Sequence, residues 1–237
     1  MTTSSIILAS ASPRRLELLR RLGLTVTVEA AAIDEEAIGG ATPAEITARV
    51  AAAKAEAVDR PEAIVIAADT AVVLRGMRLG KPHSPEEAVA MLRRLRGRRH
   101  HVLTAIAVRA RGHTHVDVVS TLVCMRQYSD QEIAAYVASG DPFDKAGAYA
   151  VQHPGFRPVA RIRGCYQNVV GLPLCHLCRR LMAEGIRCPV LPPQLFREDV
   201  GGRCPVALFP DGAAPPGVRA GVVHFGGRFI CAAARTP

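Results

Sequence analysis

The 237-residue chain carries 30 Lys and Arg against 21 Asp and Glu, a formal net charge of +9, with 49% hydrophobic and 22% charged residues. Such values fit a globular protein of one large domain or two small ones, and they exclude disordered, collagen-like and disulfide-scaffold chains. No apolar stretch reaches the roughly 18 to 20 residues of a membrane span, and the short apolar run at 6–9 precedes its charges, so the chain is predicted to be cytoplasmic, with no membrane contact.

In chain order, residues 6–9 read as a strand that leads into Ser10-Ala11-Ser12-Pro13-Arg14-Arg15 and a helix with Leu16, Leu18, Leu19 and Leu22 on one side. Ser12 suits the N-cap, Pro13 the first turn and Gly23 the stop. Residues 24–29 alternate as a strand and precede an acidic turn, Asp34-Glu35-Glu36. Thr42-Pro43-Ala44-Glu45 has the capping-box pattern and opens a helix that carries Lys54. An almost continuous apolar run at 63–74, broken by Asp69-Thr70, is the mark of a strand buried on both faces. Ser84-Pro85-Glu86-Glu87 and Ser129-Asp130-Gln131-Glu132 open two further helices that stop at Gly97 and Gly140. Between them, β runs at 101–109 and 116–125 join through Gly112 as a hairpin. Short strands are expected at 148–152 and 159–162, then a final helix from Pro173. Strands and helices mix without strict alternation, which predicts an α/β fold with a mixed sheet flanked by helices. Beyond Cys188, prolines and paired glycines interrupt every candidate element. Residues 188–237 are therefore expected to form an appended, poorly ordered tail, with at most a weak hairpin at 222–230.

A charge of +9 points to a polyanionic partner. Its make-up is more telling: Lys54, Lys81 and Lys145 are the only lysines, and every other basic residue is Arg. Either the three are chance survivors or an ammonium is needed where a guanidinium does not fit. The seven cysteines are odd in number, in a chain without an export signal, which argues against a disulfide framework. Cys175 and Cys178 have zinc-like spacing but fall in an apolar helical segment with no second such pair, so buried thiols are expected over a metal site.

Three features carry candidate chemistry. The Ser10–Arg15 segment sets two hydroxyls, free backbone N–H groups and two guanidinium groups at the positive end of a helix, an anion site in the absence of P-loop glycines. Arg14 and Arg15 diverge, so one can bind a ligand while the other forms a structural ion pair; a simply capped surface helix is the alternative. Asp69 sits inside a core strand, where a carboxylate needs a partner such as Thr70 or a lysine, or else faces a cleft with water or metal and serves as general base. Glu35 or Glu36 can bring a second carboxylate, the pair that Mg²⁺ uses beside a polyphosphate. Lys81, in Gly80-Lys81-Pro82, and Lys145, in Asp144-Lys145-Ala146-Gly147, lie in turns, where a mobile ammonium suits a phosphate chain whose charge shifts during reaction.

Taken in order and spacing, residues 8–15, Ala68-Asp69-Thr70, Gly80-Lys81-Pro82, the run 144–152 and Asn168-Val169-Val170-Gly171-Leu172-Pro173-Leu174 resemble the Maf family of nucleoside triphosphate pyrophosphatases. The resemblance covers about residues 4–186 and makes 1–187 the catalytic domain. It implies an inosine triphosphatase-type fold with two lobes around a cleft, a frequent homodimer, and hydrolysis of a nucleoside triphosphate to monophosphate and pyrophosphate with a divalent metal, Mg²⁺ or Mn²⁺. By the same resemblance Asp69 is the proton acceptor and shares the metal with Glu35. Ser10, Arg14 and Arg15 hold phosphate oxygens, Lys54 and Lys81 offset charge on the phosphate chain and the leaving pyrophosphate, and Lys145 lies at or beside a phosphate contact. Arg14, Thr70 and Gln152 match the branch acting on dTTP and UTP, whereas the branch acting on 7-methyl-GTP carries a Trp first and an acid last. The amide of Gln152 both donates and accepts, as a uracil or thymine edge requires. His153 follows it where many relatives have Gly, and is expected either to crowd the pocket or to stack on the base. A non-catalytic nucleotide or nucleic-acid binding protein linked to septum formation is the reading from another class. The absence of Trp, with only 4 Tyr and 6 Phe, disfavours nucleic acid as a partner.

Overall fold

In a computed structural model, residues 5–190 and the backbone of two later strands, 220–225 and 228–233, are described. The strands are β1 (Ile6–Leu8), β2 (Thr27–Val28), β3 (Ile64–Leu74), β4 (Met77–Leu79), β5 (Arg99–Ala110), β6 (His113–Met125), β7 (Val159–Arg163), β8 (Ala220–Phe225) and β9 (Arg228–Ala233). The helices are α1 (Pro13–Arg21), α2 (Pro43–Glu56), α3 (Pro85–Leu95), α4 (Asp130–Ala138), α5 (Tyr166–Val170) and α6 (Leu174–Ala183). The strands form one mixed sheet in the order β2-β1-β3-β5-β6-β9-β8, with β4 pairing β3 and β7 pairing β6. β1 is parallel to β2 and β3, while β3, β5 and β6 run antiparallel in sequence.

Side-chain alternation along β3 sorts the core into layers. Val65 and Ala67 meet Ala51, Ala52 and Ala55 of α2 on one face. Ile66 and Ala68 meet Leu18 and Leu19 of α1 and Leu177 and Leu181 of α6 on the other. Further along the sheet, Val72, Leu74 and Val102 pack with Leu92 and Leu95 of α3 and Ile133 and Tyr136 of α4. Val151 touches both of these last two clusters, so it marks the seam between two lobes.

The helix starts follow their sequence signals. Thr42, Ser84 and Ser129 each accept a hydrogen bond from the backbone three residues on, and Ser129 with Glu132 closes a full capping box. Ser12 holds the N-cap position of α1, yet its side chain caps nothing.

Two expectations are corrected. The strand expected at 148–152 is absent: two 3₁₀ turns, Asp141–Asp144 and Ala146–Ala148, lead into it, Gly147 and Ala148 have φ of 70° and 59°, a left-handed kink that precludes an extended run from there, and 149–152 is loop and turn. The strand expected at 24–29 shrinks to Thr27–Val28, because its partner β1 is itself only three residues long. β4 went unforeseen. In the carboxy-terminal region, β8 and β9 form an antiparallel hairpin, and β9 adds to β6 in parallel at Val118 and Val119. The rest of the expected tail lies outside the described residues. No helix among the described residues is long and apolar enough to cross a membrane.

Candidate active site

The cleft forms where β3 has no ladder partner along one edge. β1 pairs with it at Ile64, Val65 and Ile66, and β4 at Val72, Val73 and Leu74, so 67–71 lies open between them. Asp69 shares the α2 face with Val65 and Ala67, and Thr70 shares the α1 face with Ile66 and Ala68, yet both line the cleft because the edge is open. The cleft is open to solvent and lies on the seam between the lobes.

Asp69 is only 5% exposed. A buried carboxylate must be paired, and this one is paired twice. Lys54 Nζ, from the last turn of α2, lies 3.4 Å from Oδ1, and Arg78 Nη2, from β4, donates to Oδ2 at 2.9 Å. Lys54 Nζ is also 2.9 Å from Glu35 Oε1, so the two carboxylates face one point in the cleft. Among the described residues no group of three or more His, Cys, Asp or Glu side chains is arranged to hold a metal ion. Cys175 and Cys178 are buried on α6.

The two arginines part ways. Arg15 donates from Nε to the Gly171 carbonyl (3.0 Å), from Nη1 to Ser10 Oγ (2.9 Å) and from Nη2 to Thr70 Oγ1 (3.2 Å). These acceptors are neutral, and burial holds the Arg15 pKa below its ordinary value while Asp69 and Glu35 push it back up. The result is a fixed cation, bordering the cleft, whose charge no hydrogen-bonded carboxylate cancels. Ser10 itself is buried and outside the cleft lining; its hydroxyl also accepts from the Ser12 N–H. Arg14 reaches Asp144 at 3.6 Å. Thr70 Oγ1 lies 3.0 Å from Thr104 Oγ1, and Thr104 donates to the Asn168 carbonyl, so Thr70 donates to Thr104 and keeps only acceptor capacity for the cleft.

Across the cleft, two loops carry the other lysines, and the Gly147 N–H donates to the Gly80 carbonyl at 2.8 Å, tying the loops together. Lys145 Nζ donates to the Asp141 carbonyl and to the carboxylates of Asp141 and Asp144, which commits all three of its protons. Lys81 and Gln152 are exposed in the cleft, and neither side chain has a hydrogen bond or ion pair with another described residue. His153 is turned away: its Nδ1 accepts from the Phe156 N–H and its ring meets Tyr136 edge-on, so it neither crowds the cleft nor faces a base there.

The sequence reading missed Arg78, Asp144 and Tyr149, the last of which lines the cleft and bonds the buried His100 through its hydroxyl at 2.7 Å. A signal for Arg78 existed. Arg75-Gly76 adopts positive φ at both positions, the geometry of a two-residue hairpin loop, and such a loop places Arg78 opposite Val73 on the Asp69 face.

Comparison with known proteins adds family to geometry. A dTTP/UTP pyrophosphatase of Thermomicrobium roseum is 50% identical over 208 residues, covering 86% of this chain and 94% of that protein. Another from Anaeromyxobacter dehalogenans is 48% identical over 188 residues, covering 78% and 96%. Among solved structures, a HAM1 protein from Coxiella burnetii aligns with a TM-score of 0.43 at 14% identity, over 77% of this chain and all of that one. The Maf-like protein family model matches residues 5–184, and with that match the chain belongs to the Maf family.

Proposed function

We propose that the chain is a nucleoside triphosphate pyrophosphatase that hydrolyses dTTP and UTP to the monophosphate and pyrophosphate by attack of water on the α-phosphorus. The observation that carries this reading is one buried carboxylate, Asp69, in a cleft lined by Arg15 and Lys81, which no carboxylate pairs among the described residues, and by Arg14, Lys54 and Lys145, each paired with a carboxylate. Positioning and charge neutralisation are most of what phosphoryl transfer asks of a protein. The names of the relatives at 50% and 48% identity support the substrate class.

Asp69 uses two of its four acceptor sites on Lys54 and Arg78, which leaves lone pairs to take a proton from water. Arg15 holds a phosphate oxygen from a fixed position, with Ser10 as its brace, while the unpaired Lys81 follows the leaving pyrophosphate. Glu35 and Asp69 fit a divalent cation, Mg²⁺ or Mn²⁺: they are hard oxygen donors brought together by the Lys54 ammonium that bridges them, and such ions take one or two carboxylates and fill the remaining positions with phosphate and water. When bound, that cation supplies charge neutralisation on the phosphate chain. At the base, Gln152 offers both a donor and acceptors and Thr70 an acceptor, a set that suits the N3–H and carbonyls of uracil or thymine better than a positively charged methylated guanine.

The catalytic unit is placed at 1–187, supported by the family match at 5–184. We take it to be cytoplasmic, where nucleotides are made, and homodimeric, which sedimentation would test. The deciding experiment is a nucleotide panel assayed for monophosphate and pyrophosphate, with and without Mg²⁺ or Mn²⁺. Pyrophosphate release from dTTP and UTP is expected, abolished in Asp69→Asn while circular dichroism shows the fold retained. Orthophosphate as first product would refute the reading.

A further inference from the structure

We propose that Arg78 is a positioning residue of this active site: it grips Oδ2 of Asp69 and fixes the plane of the carboxylate that accepts the proton. The inference rests on the reading of Asp69 given above. The Asp69 carboxyl can turn about its terminal torsion, which is broad and roughly two-fold. Lys54 alone does not stop it, for that ammonium sits 3.4 Å from Oδ1 and is shared with Glu35 at 2.9 Å. Arg78 supplies the second point, 2.9 Å from Oδ2, and with one oxygen held on each side of the Cβ–Cγ axis the torsion is fixed.

Its geometry is set by the backbone. The two-residue Arg75-Gly76 loop locks the β3–β4 register, Val73 opposite Arg78, and Val73 lies two pleats along the same face as Asp69. A one-residue slip would throw Arg78 to the other face. Nothing else occupies the side chain: among the described residues it makes no other hydrogen bond or ion pair, and it is not part of the cleft lining. Arg78 therefore stands behind the carboxylate, where substrate does not compete for it, while Lys54 stands in front, where substrate does.

The test compares R78A, R78Q and R78K with the wild type in dTTP turnover and in equilibrium binding of α,β-imido-dUTP. R78A is expected to lose about 10- to 100-fold in kcat, the usual cost of removing a partner that orients an active-site ligand. KM and analogue affinity should stay within about threefold, since Arg78 does not line the cleft, and R78K should recover part of kcat by reaching one oxygen. R78Q serves if R78A does not fold. Wild-type kcat in a folded R78A or R78Q overturns the proposal, as does a loss of analogue affinity with kcat intact, which would make Arg78 a phosphate contact. R78K no better than R78A also overturns it. A wild type that releases no pyrophosphate is a different failure, that of the functional reading itself.

Discussion

His100 is 1% exposed, and burial, with His101 nearby, lowers its pKa from 6.5 to about 4, so the native ring is neutral. Its Nε2 pairs with the Tyr149 hydroxyl while its Nδ1 has no partner. The linkage has a definite sign. An unfolded chain protonates this histidine as pH falls through 6.5, whereas the native one resists until about 4. Stability is thus lost across that window, by up to about 3 kcal/mol from this residue. Urea unfolding from pH 7 to pH 4 should show the loss, and His100→Gln should flatten it.

At the scale of elements, the two loops facing β3 behave as one part. Gly147 joins them through the Gly80 carbonyl, and its φ of 70° is left-handed. A Cβ there would also meet both γ-carbons of Val72 at 3.0 Å. Gly147→Ala should therefore cost about 1–2 kcal/mol from the left-handed backbone alone, seen as a melting point several degrees lower. It should also raise KM, because the displaced loops carry Lys81, Lys145 and Gln152. The elements most legible in the sequence were those with a local chemical signal: the Ser and Thr caps of three helices and the two-sided burial of β3. The stretch 148–152 misled because apolar content at Ala148, Ala150 and Val151 says nothing of the left-handed pair before it. For the site, motif residues 10–15, 69–70, 81, 145 and 152 could be named from the sequence, but not how they share the work. That Arg15 reaches Thr70 and Gly171 depends on contacts between segments distant in sequence, that Arg78 reaches Asp69 depends on strand register, and that Lys145 is bound by Asp141 and Asp144 depends on the tight turn between them, which residue type alone does not show.

Across the whole molecule, the outer edge of β6 is covered in two pieces. β7 pairs it from Leu122 to Met125, and β9 pairs it at Val118 and Val119. The candidate site residues span 10–152 and owe nothing to β8 or β9. A chain ending at residue 190 should accordingly keep its turnover of dTTP. It should also self-associate more readily, because an uncovered strand edge is a template for pairing with another chain. Light scattering and a pyrophosphate assay on the two lengths separate these effects. Most of the net charge of +9 lies outside the cleft, whose lining sets Arg14, Arg15, Lys54, Lys81 and Lys145 against Glu35, Asp69 and Asp144.

The open edge at 67–71 faces the opposite hazard from that of β6. No strand among the described residues pairs along it, and its residues are nearly all buried, Ala67 and Ala68 at 0% and Asp69 at 5% exposure, so another segment can reach it only through the cleft. Cations rim that opening, Arg14 and Lys81 among them, and another copy of this basic protein approaching edge to edge would bring the same charges against them. On the function proposed above, the cations that would attract polyphosphate would also oppose edge-to-edge pairing of two molecules, so one set of charges would serve both ends.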